Sequence, residues 1–374
     1  MPSTYPPKRL LFGPGPTQVE PRVYQAMTRP VVGYMDPYLF QVFQEVSAGL
    51  RALFGTKNEF TLAVSGTGSA GMEAAVSNFC DPGTKLAVFV NGFFGERICE
   101  MGRRHGVQVV RLDKPWGEIF SEDEARAFLE RERPAVAAFV HAETSAGSLQ
   151  PPRAITRPAR EIGALTIADC VTSLGTIPIN VDANDIDVAF SCTQKGLSCP
   201  PGLSPFTVSP RAAEWLKARK IDNPVWYLDL KRLLEYFLVS KRYHHTAPVS
   251  MFYALQEGLA AILDEGVENR FARHLAAHHS FVRRIEALGL QMHAAPGHRL
   301  TTLNTVRVPE GVDDAKVRQR LLDEFGIDIA RGMGQLTGKI FRIGVMGPLA
   351  TEANLDLFFE AFAACLAPVP VAAG

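Results

Sequence analysis

Three segments of the 374-residue chain hold residues whose types and order could do chemistry together. The first, AVSGTGSAGMEAA (63–75), sets a glycine-rich turn between an apolar run and a helix-like stretch. At such a junction, free backbone N–H groups and the helix dipole favour a phosphate. The second is Asp169, which closes the run LTIAD (165–169). Its carboxylate would emerge at the carboxyl end of a sheet strand, where open α/β folds bind ligands. The third is Lys195 in SCTQKGLSCPPG (191–202), with Pro200, Pro201 and Gly202 fixing the backbone after it. Singly, each has an ordinary explanation: a tight turn, a turn cap and a solvated surface lysine.

Together they fit what pyridoxal phosphate (PLP) requires. The turn takes the phosphate, and Asp169 pairs with the pyridinium nitrogen, keeping the ring an electron sink for a carbanion at the substrate Cα. Lys195 forms an imine with the aldehyde; once an amino substrate displaces it, the freed amine moves the Cα proton as base and then acid. Two other classes stay open on the residues alone. Gly66, Gly68 and Gly71 match the dinucleotide pattern GxGxxG, although VFVNGFFG (88–95) stands where that reading expects an acid for the ribose. A non-catalytic dimer retaining the fold as a scaffold is the other.

Arg342 lies inside the apolar run IFRIG (340–344), and a buried guanidinium needs a partner. A substrate carboxylate suits its planar fork; an internal salt bridge is the alternative. In GPGP (13–16), Gly15 lets the backbone run close to a substrate. Adjacent His244 and His245 are expected to point to opposite sides of an extended segment, with no third ligand, so no metal site is expected.

The elements that must position these groups are legible as a rhythm. Short apolar runs, FTLAV (60–64), LAVFV (86–90), VQVV (107–110), VAAFV (136–140), LTIAD (165–169) and VAFS (188–191), alternate with amphipathic stretches. That pattern predicts a mainly parallel sheet covered by helices, an α/β fold. From about Ser250 a long helical region follows, then strand-like TLNTVRV (302–308), IDIA (327–330) and IFRIG, and a last helix from about Thr351. The expected division is an amino-terminal arm (1–10), a large domain (11–265) and a small α+β domain (266–374), with a loose tail at APVPVAAG.

Lys plus Arg equal Asp plus Glu at 39 each, so no long-range field steers nucleic acid or an anionic membrane to the chain. Six scattered cysteines without CxxC spacing argue for buried thiols in a reducing compartment. Neither a signal peptide nor a run of about 20 apolar residues is present, so a soluble cytoplasmic protein is expected.

The chain resembles the class V, fold type I PLP-dependent aminotransferases, in particular the alanine–glyoxylate and serine–glyoxylate enzymes. The landmarks span nearly its whole length: LLFGPGPT (10–17), VSGTGSAGMEAA (64–75), NGFFGER (91–97), HAETSAGSLQP (141–151), ADCVTSLG (168–175), SCTQKGLSCPPG (191–202), RYHHTAP (242–248) and GKIFRIGVMG (338–347). The resemblance implies a seven-stranded, mainly parallel sheet in the large domain. It implies that Thr67, Gly68, Ser69, Thr144 and Gln194 contact PLP, that Val171 packs on one ring face and Phe94 on the other. The family often has tryptophan at that last position; phenylalanine keeps the π stacking and loses an indole N–H donor. Tyr243 and Thr246 match residues that reach the partner subunit's cofactor phosphate across a homodimer interface. Arg342 matches the carboxylate-binding arginine, and Tyr34 lies at the active-site entrance.

The implied reaction moves an amino group from alanine or serine to glyoxylate, giving glycine and pyruvate or hydroxypyruvate. Serine–pyruvate and ureidoglycine–glyoxylate transamination are the neighbouring alternatives; the ureidoglycine branch carries amide side chains at the positions of Tyr34 and Tyr243. Cysteine desulfurases place a histidine before the lysine, where this chain has Gln194.

Overall fold

In the computed structural model, residues 5–366 are described. The tail segment 367–374 and the first four residues of the expected arm lie outside them. All six apolar runs form strands: β1 (Thr61–Ser65), β2 (Lys85–Val90), β3 (Gln108–Asp113), β4 (Val136–Val140), β5 (Leu165–Asp169) and β6 (Val188–Phe190). A seventh, β7 (Leu203–Val208), completes one sheet in the order β1-β7-β6-β5-β4-β2-β3. β7 runs antiparallel to both of its neighbours, and the other pairs are parallel. The sequence reading has no strand at β7 because Pro205 sits in its middle, and proline removes a ladder donor. The carbonyl of Pro205 still accepts from Ser191 N at 2.8 Å.

β1, β4 and β5 are buried at every position, which explains their continuous apolar character. The edge strand β3 (QVVRLD) instead mixes exposed and half-buried residues. Register sets the ends: Val140 on β4 pairs with Asp169 on β5, and Asp169 with Phe190 on β6. The strands thus finish together along the sheet's carboxyl edge.

A second core gathers Phe281, Ile285, Val306, Phe341, Phe358 and Phe362. It backs a three-stranded antiparallel sheet of β8 (Leu303–Arg307), β9 (Ala330–Arg331) and β10 (Ile340–Gly344), in the order β8-β10-β9. Phe12 belongs to this core, its ring 5.0 Å from that of Phe358. Leu10–Leu11 pair in parallel with Ile327–Asp328, and Phe12 O accepts from Gly344 N at 2.7 Å. A Cβ on Gly344 would lie 2.1 Å from Gly13 O, so glycine is what lets the amino-terminal segment cross β10. That strap ties the sheet carrying Arg342 to the loop ahead of Lys195.

All six cysteines are buried free thiols. Among the described residues, no helix is long and apolar enough to cross a membrane.

Burial holds four histidines neutral: it pulls His141, His245 and His278 down to about 4 and His274 to about 3. At His274 the bonding fixes the tautomer, since Nδ1 meets Arg270 O at 2.7 Å and Nε2 accepts from Gly347 N at 3.0 Å. A depressed histidine pKa stabilises the fold above the unfolded value near 6.5, and that stability drains away as pH falls toward 4. The thermal midpoint is therefore expected to drop by about 5 °C or more between pH 7 and pH 4.5. Scanning calorimetry across that range checks it; a flat profile contradicts it.

Candidate active site

A cavity of about 220 Å³ opens at the carboxyl edge of the main sheet. It brings together Gly15, Thr67, Gly68, Ser69, Phe94, Thr144, Asp169, Val171, Gln194 and Lys195. These residues come from six separate stretches of chain, joined because their strands end at one level.

The glycine-rich turn leaves β1 at Ser65 and enters the helix Gly68–Phe79. No side chain caps that helix, so its first N–H groups face the cavity uncapped. The three glycines serve backbone needs. Gly66 has φ +138°, and a Cβ on Gly71 would fall 2.0 Å from Ser204 Oγ on β7. The GxGxxG match is therefore a device for laying this helix on β6 and β7.

Asp169 is 2% exposed, and its Oδ1 accepts from Val171 N at 2.9 Å. Burial raises its pKa to about 7; the Val171 N–H opposes the shift, Glu143 adds to it, and Lys195 and Arg97 oppose it. Lys195 is 9% exposed. Burial lowers its pKa and Arg342 reinforces that, against Cys192, Asp169 and Glu143. Its Nζ donates to Pro14 O. A Cβ on Gly15, at φ +117°, would stand 2.9 Å from Lys195 Cδ, so glycine there lets the backbone pass over the lysine stem.

Phe94 is placed by a group the sequence reading left unassigned. The fully buried Glu143 accepts from Phe94 N at 3.1 Å, and from Ser145 N and Oγ at 2.9 and 2.6 Å. Ser145 Oγ in turn accepts from Phe93 N at 2.8 Å. Two side chains thus cap the helix Phe93–Arg104 from outside it and hold Phe94 at the cavity. The signal available was Glu143 within HAETSAGS; nothing local in that motif points to a helix 49 residues away. Met72, Arg97 and Thr172 also line the cavity and were likewise unassigned.

Arg342 sits on β10, 7% exposed, its Nε donating to Arg331 O at 2.7 Å. Burial lowers its pKa to about 10, so it stays charged at neutral pH. Among the described residues it has no ion-pair partner, which removes the internal salt bridge considered as an alternative. It is not part of the cavity wall itself.

Tyr34, Tyr243 and Thr246 also lie off that wall. The two tyrosine rings meet at 4.7 Å, and Tyr243 Oη lies 3.4 Å from Thr246 Oγ1, all three residues being exposed. The histidine pair corrects its expectation. His244 and His245 turn toward each other, Nδ1 to Nδ1 at 2.8 Å, because their segment is irregular and the alternation of a strand does not apply. His245 Nε2 meets Ser65 Oγ at 2.6 Å, and His244 Nε2 donates to Trp226 O at 3.1 Å.

The family described as aminotransferase class-V matches residues 9–356. The chain is a class-V aminotransferase. Alanine–glyoxylate aminotransferase of Callithrix jacchus is 37% identical over 368 residues, covering 97% of this chain and 89% of that one. The (S)-ureidoglycine–glyoxylate transaminase of Bacillus subtilis is 35% identical over 367 residues, covering 93% and 88%. Among solved structures, alanine–glyoxylate aminotransferase from Nostoc sp. superposes with a TM-score of 0.96 at 44% identity, covering 98% of this chain and 97% of that one.

This class-V aminotransferase has the fold type I architecture and uses PLP. The nicotinamide and scaffold readings fall with that membership. Its residues fit the cofactor: the cavity carries an uncapped helix terminus, a buried lysine and a buried carboxylate. Gln194 Oε1 is also buried there with no hydrogen-bond partner among the described residues. Rotating that amide would present Nε2 as a donor to an anion.

Proposed function

We propose that this aminotransferase moves the amino group of a small amino acid, alanine or serine, to glyoxylate, forming glycine and pyruvate or hydroxypyruvate. Arg342 carries the reading: a buried, charged fork with no acidic partner among the described residues, close enough to Lys195 to depress its pKa, suits the carboxylate shared by every donor and acceptor. PLP supplies the electron sink that stabilises negative charge on the substrate Cα.

In this reading Thr67, Gly68 and Ser69 would hold the phosphate with Gln194, Thr144 would contact the cofactor, and Val171 and Phe94 would pack on the ring faces. Asp169 holds the proton of the ring nitrogen, and Lys195 Nζ takes the Cα proton. Gly15 keeps the entrance beside Lys195 clear of a side chain. Burial serves Lys195, since a lysine of lowered pKa is a better base near neutrality.

Tyr243 and Thr246 serve the partner's site in a homodimer. Their exposure, and their absence from the cavity wall of their own chain, support that assignment. Tyr34 packs against Tyr243 with the two rings tilted, and the ureidoglycine branch has amides at both positions, which favours alanine or serine as donor. The two hydrophobic cores support a division near residue 266, and six buried thiols support a cytoplasmic location.

The test separates the half-reactions. Individual amino acids are added to the holoenzyme while the visible absorbance of the cofactor is followed, and 2-oxo acids are then offered. Alanine or serine should discharge the band and glyoxylate restore it; ureidoglycine acting alone as donor, or no response to glyoxylate, overturns the assignment. Arg342→Ala should raise KM for both partners by about 100-fold, a charge-assisted pair being worth up to about 3 kcal/mol. Unchanged KM values in steady-state assays would remove Arg342 from the site.

A further inference from the structure

We infer that Arg97 is a phosphate-binding residue of this enzyme, the side chain whose full positive charge faces the anionic tail of PLP. The inference rests on the reading of Thr67–Ser69 as the phosphate turn. Arg97 lies one turn into the helix Phe93–Arg104 and lines the cavity. Its Nη1 donates to Ser69 Oγ at 3.3 Å, which puts the guanidinium beside that turn. The group also lies over the Phe94 ring, 4.9 Å from the centroid, and 5.2 Å from that of Phe93, so two aromatic faces hold it in place.

Charge decides the role. A phosphate monoester carries between one and two negative charges near neutrality, while a helix terminus offers only about half a positive one. Lys195 and Arg97 are the cations among the described residues of the cavity wall. Lys195 is committed to the aldehyde at the other end of the cofactor. The acids nearest Arg97 in sequence are engaged elsewhere, Glu96 near Arg111 at 3.8 Å and Glu100 with Arg104 at 2.8 Å. Asp169, in the same cavity, feels the Arg97 charge through space but makes no ion pair with it, so Arg97 keeps that charge available where the anion must sit.

The prediction concerns discrimination between PLP and pyridoxal, which lacks the phosphate. Apoenzyme is titrated with each, and Kd is read from quenching of protein fluorescence for the natural chain, Arg97→Gln, Arg97→Lys and Thr67→Ala. Arg97→Gln should raise Kd for PLP at least tenfold and leave pyridoxal within twofold, and Arg97→Lys should restore most of the loss. Equal weakening of both ligands would make Arg97 a mere support for Phe94, and no change in either would leave it no role; both overturn the inference. Thr67→Ala separates the two layers of argument. If it narrows the preference for PLP while Arg97→Gln does not, only the arginine assignment fails; if neither does, the phosphate turn fails as well.

Discussion

Lys195→Ala is expected to lower kcat by at least about 10⁴-fold and to abolish the visible absorbance of the bound cofactor. The size follows from removing one amine that serves as both covalent anchor and proton carrier, when general acid–base catalysis alone contributes about 10²–10⁴. The fold should survive. Lys195 is buried, its pKa is lowered by that burial, and among the described residues its amine donates to Pro14 O alone. Deleting it relieves a desolvation cost, so the thermal midpoint of the apo form should equal or exceed that of the natural chain. Rapid-scanning absorbance with alanine, and calorimetry of both apo forms, make the measurement. A variant that keeps its visible band and its turnover would move the chemistry to another residue.

Asp169→Asn should reduce kcat by roughly 10²–10³-fold and change Kd for PLP far less, because the carboxylate acts on charge developing during reaction while the turn holds the phosphate. The same substitution has a pH signature. Burial raises the Asp169 pKa to about 7. A raised carboxyl binds its proton more tightly in the folded chain, so stability falls as pH climbs from about 4 toward 7, opposite in sign to the buried histidines. At pH 8 the apo form of Asp169→Asn should therefore melt above the natural apoenzyme, and near pH 4 the two should coincide. PLP gives the carboxylate a partner, so the gap should close on adding it. Equal melting of the two apo forms at pH 8 would deny the carboxylate its buried cost, and unaltered kcat would deny its role.

The ease with which Asp169 and Lys195 are found in the sequence has a physical basis. Asp169 ends and Lys195 follows a short, mainly apolar strand, LTIAD and VAFS, and such runs read clearly because the strands are buried on both faces. β7 broke the pattern through Pro205, and with it went the one antiparallel strand of the large sheet. Glu143 and Arg97 escaped for a different reason. Their partners, the Phe94 N–H and the Ser69 hydroxyl, lie 49 and 28 residues away, and helix placement alone makes them neighbours. The histidine pair misled because a two-residue alternation was assumed where the backbone is irregular.

The sequence by itself determined the chemistry, since an aldehyde needs an amine, a ring nitrogen an acid, and a phosphate a run of free amides. Those types and their order are local properties, written in LTIAD, SCTQKGLS and VSGTGSAG. Tertiary structure decided distance, burial and charge state. The register of β4, β5 and β6 brings Asp169 level with the strand ends beside it. The strap from Leu10 to Gly15 ties Arg342's sheet to Lys195, and desolvation shifts the pKa values of Asp169 and Lys195 toward neutrality. Those effects depend on what surrounds a group in space, and no spacing along the chain encodes that.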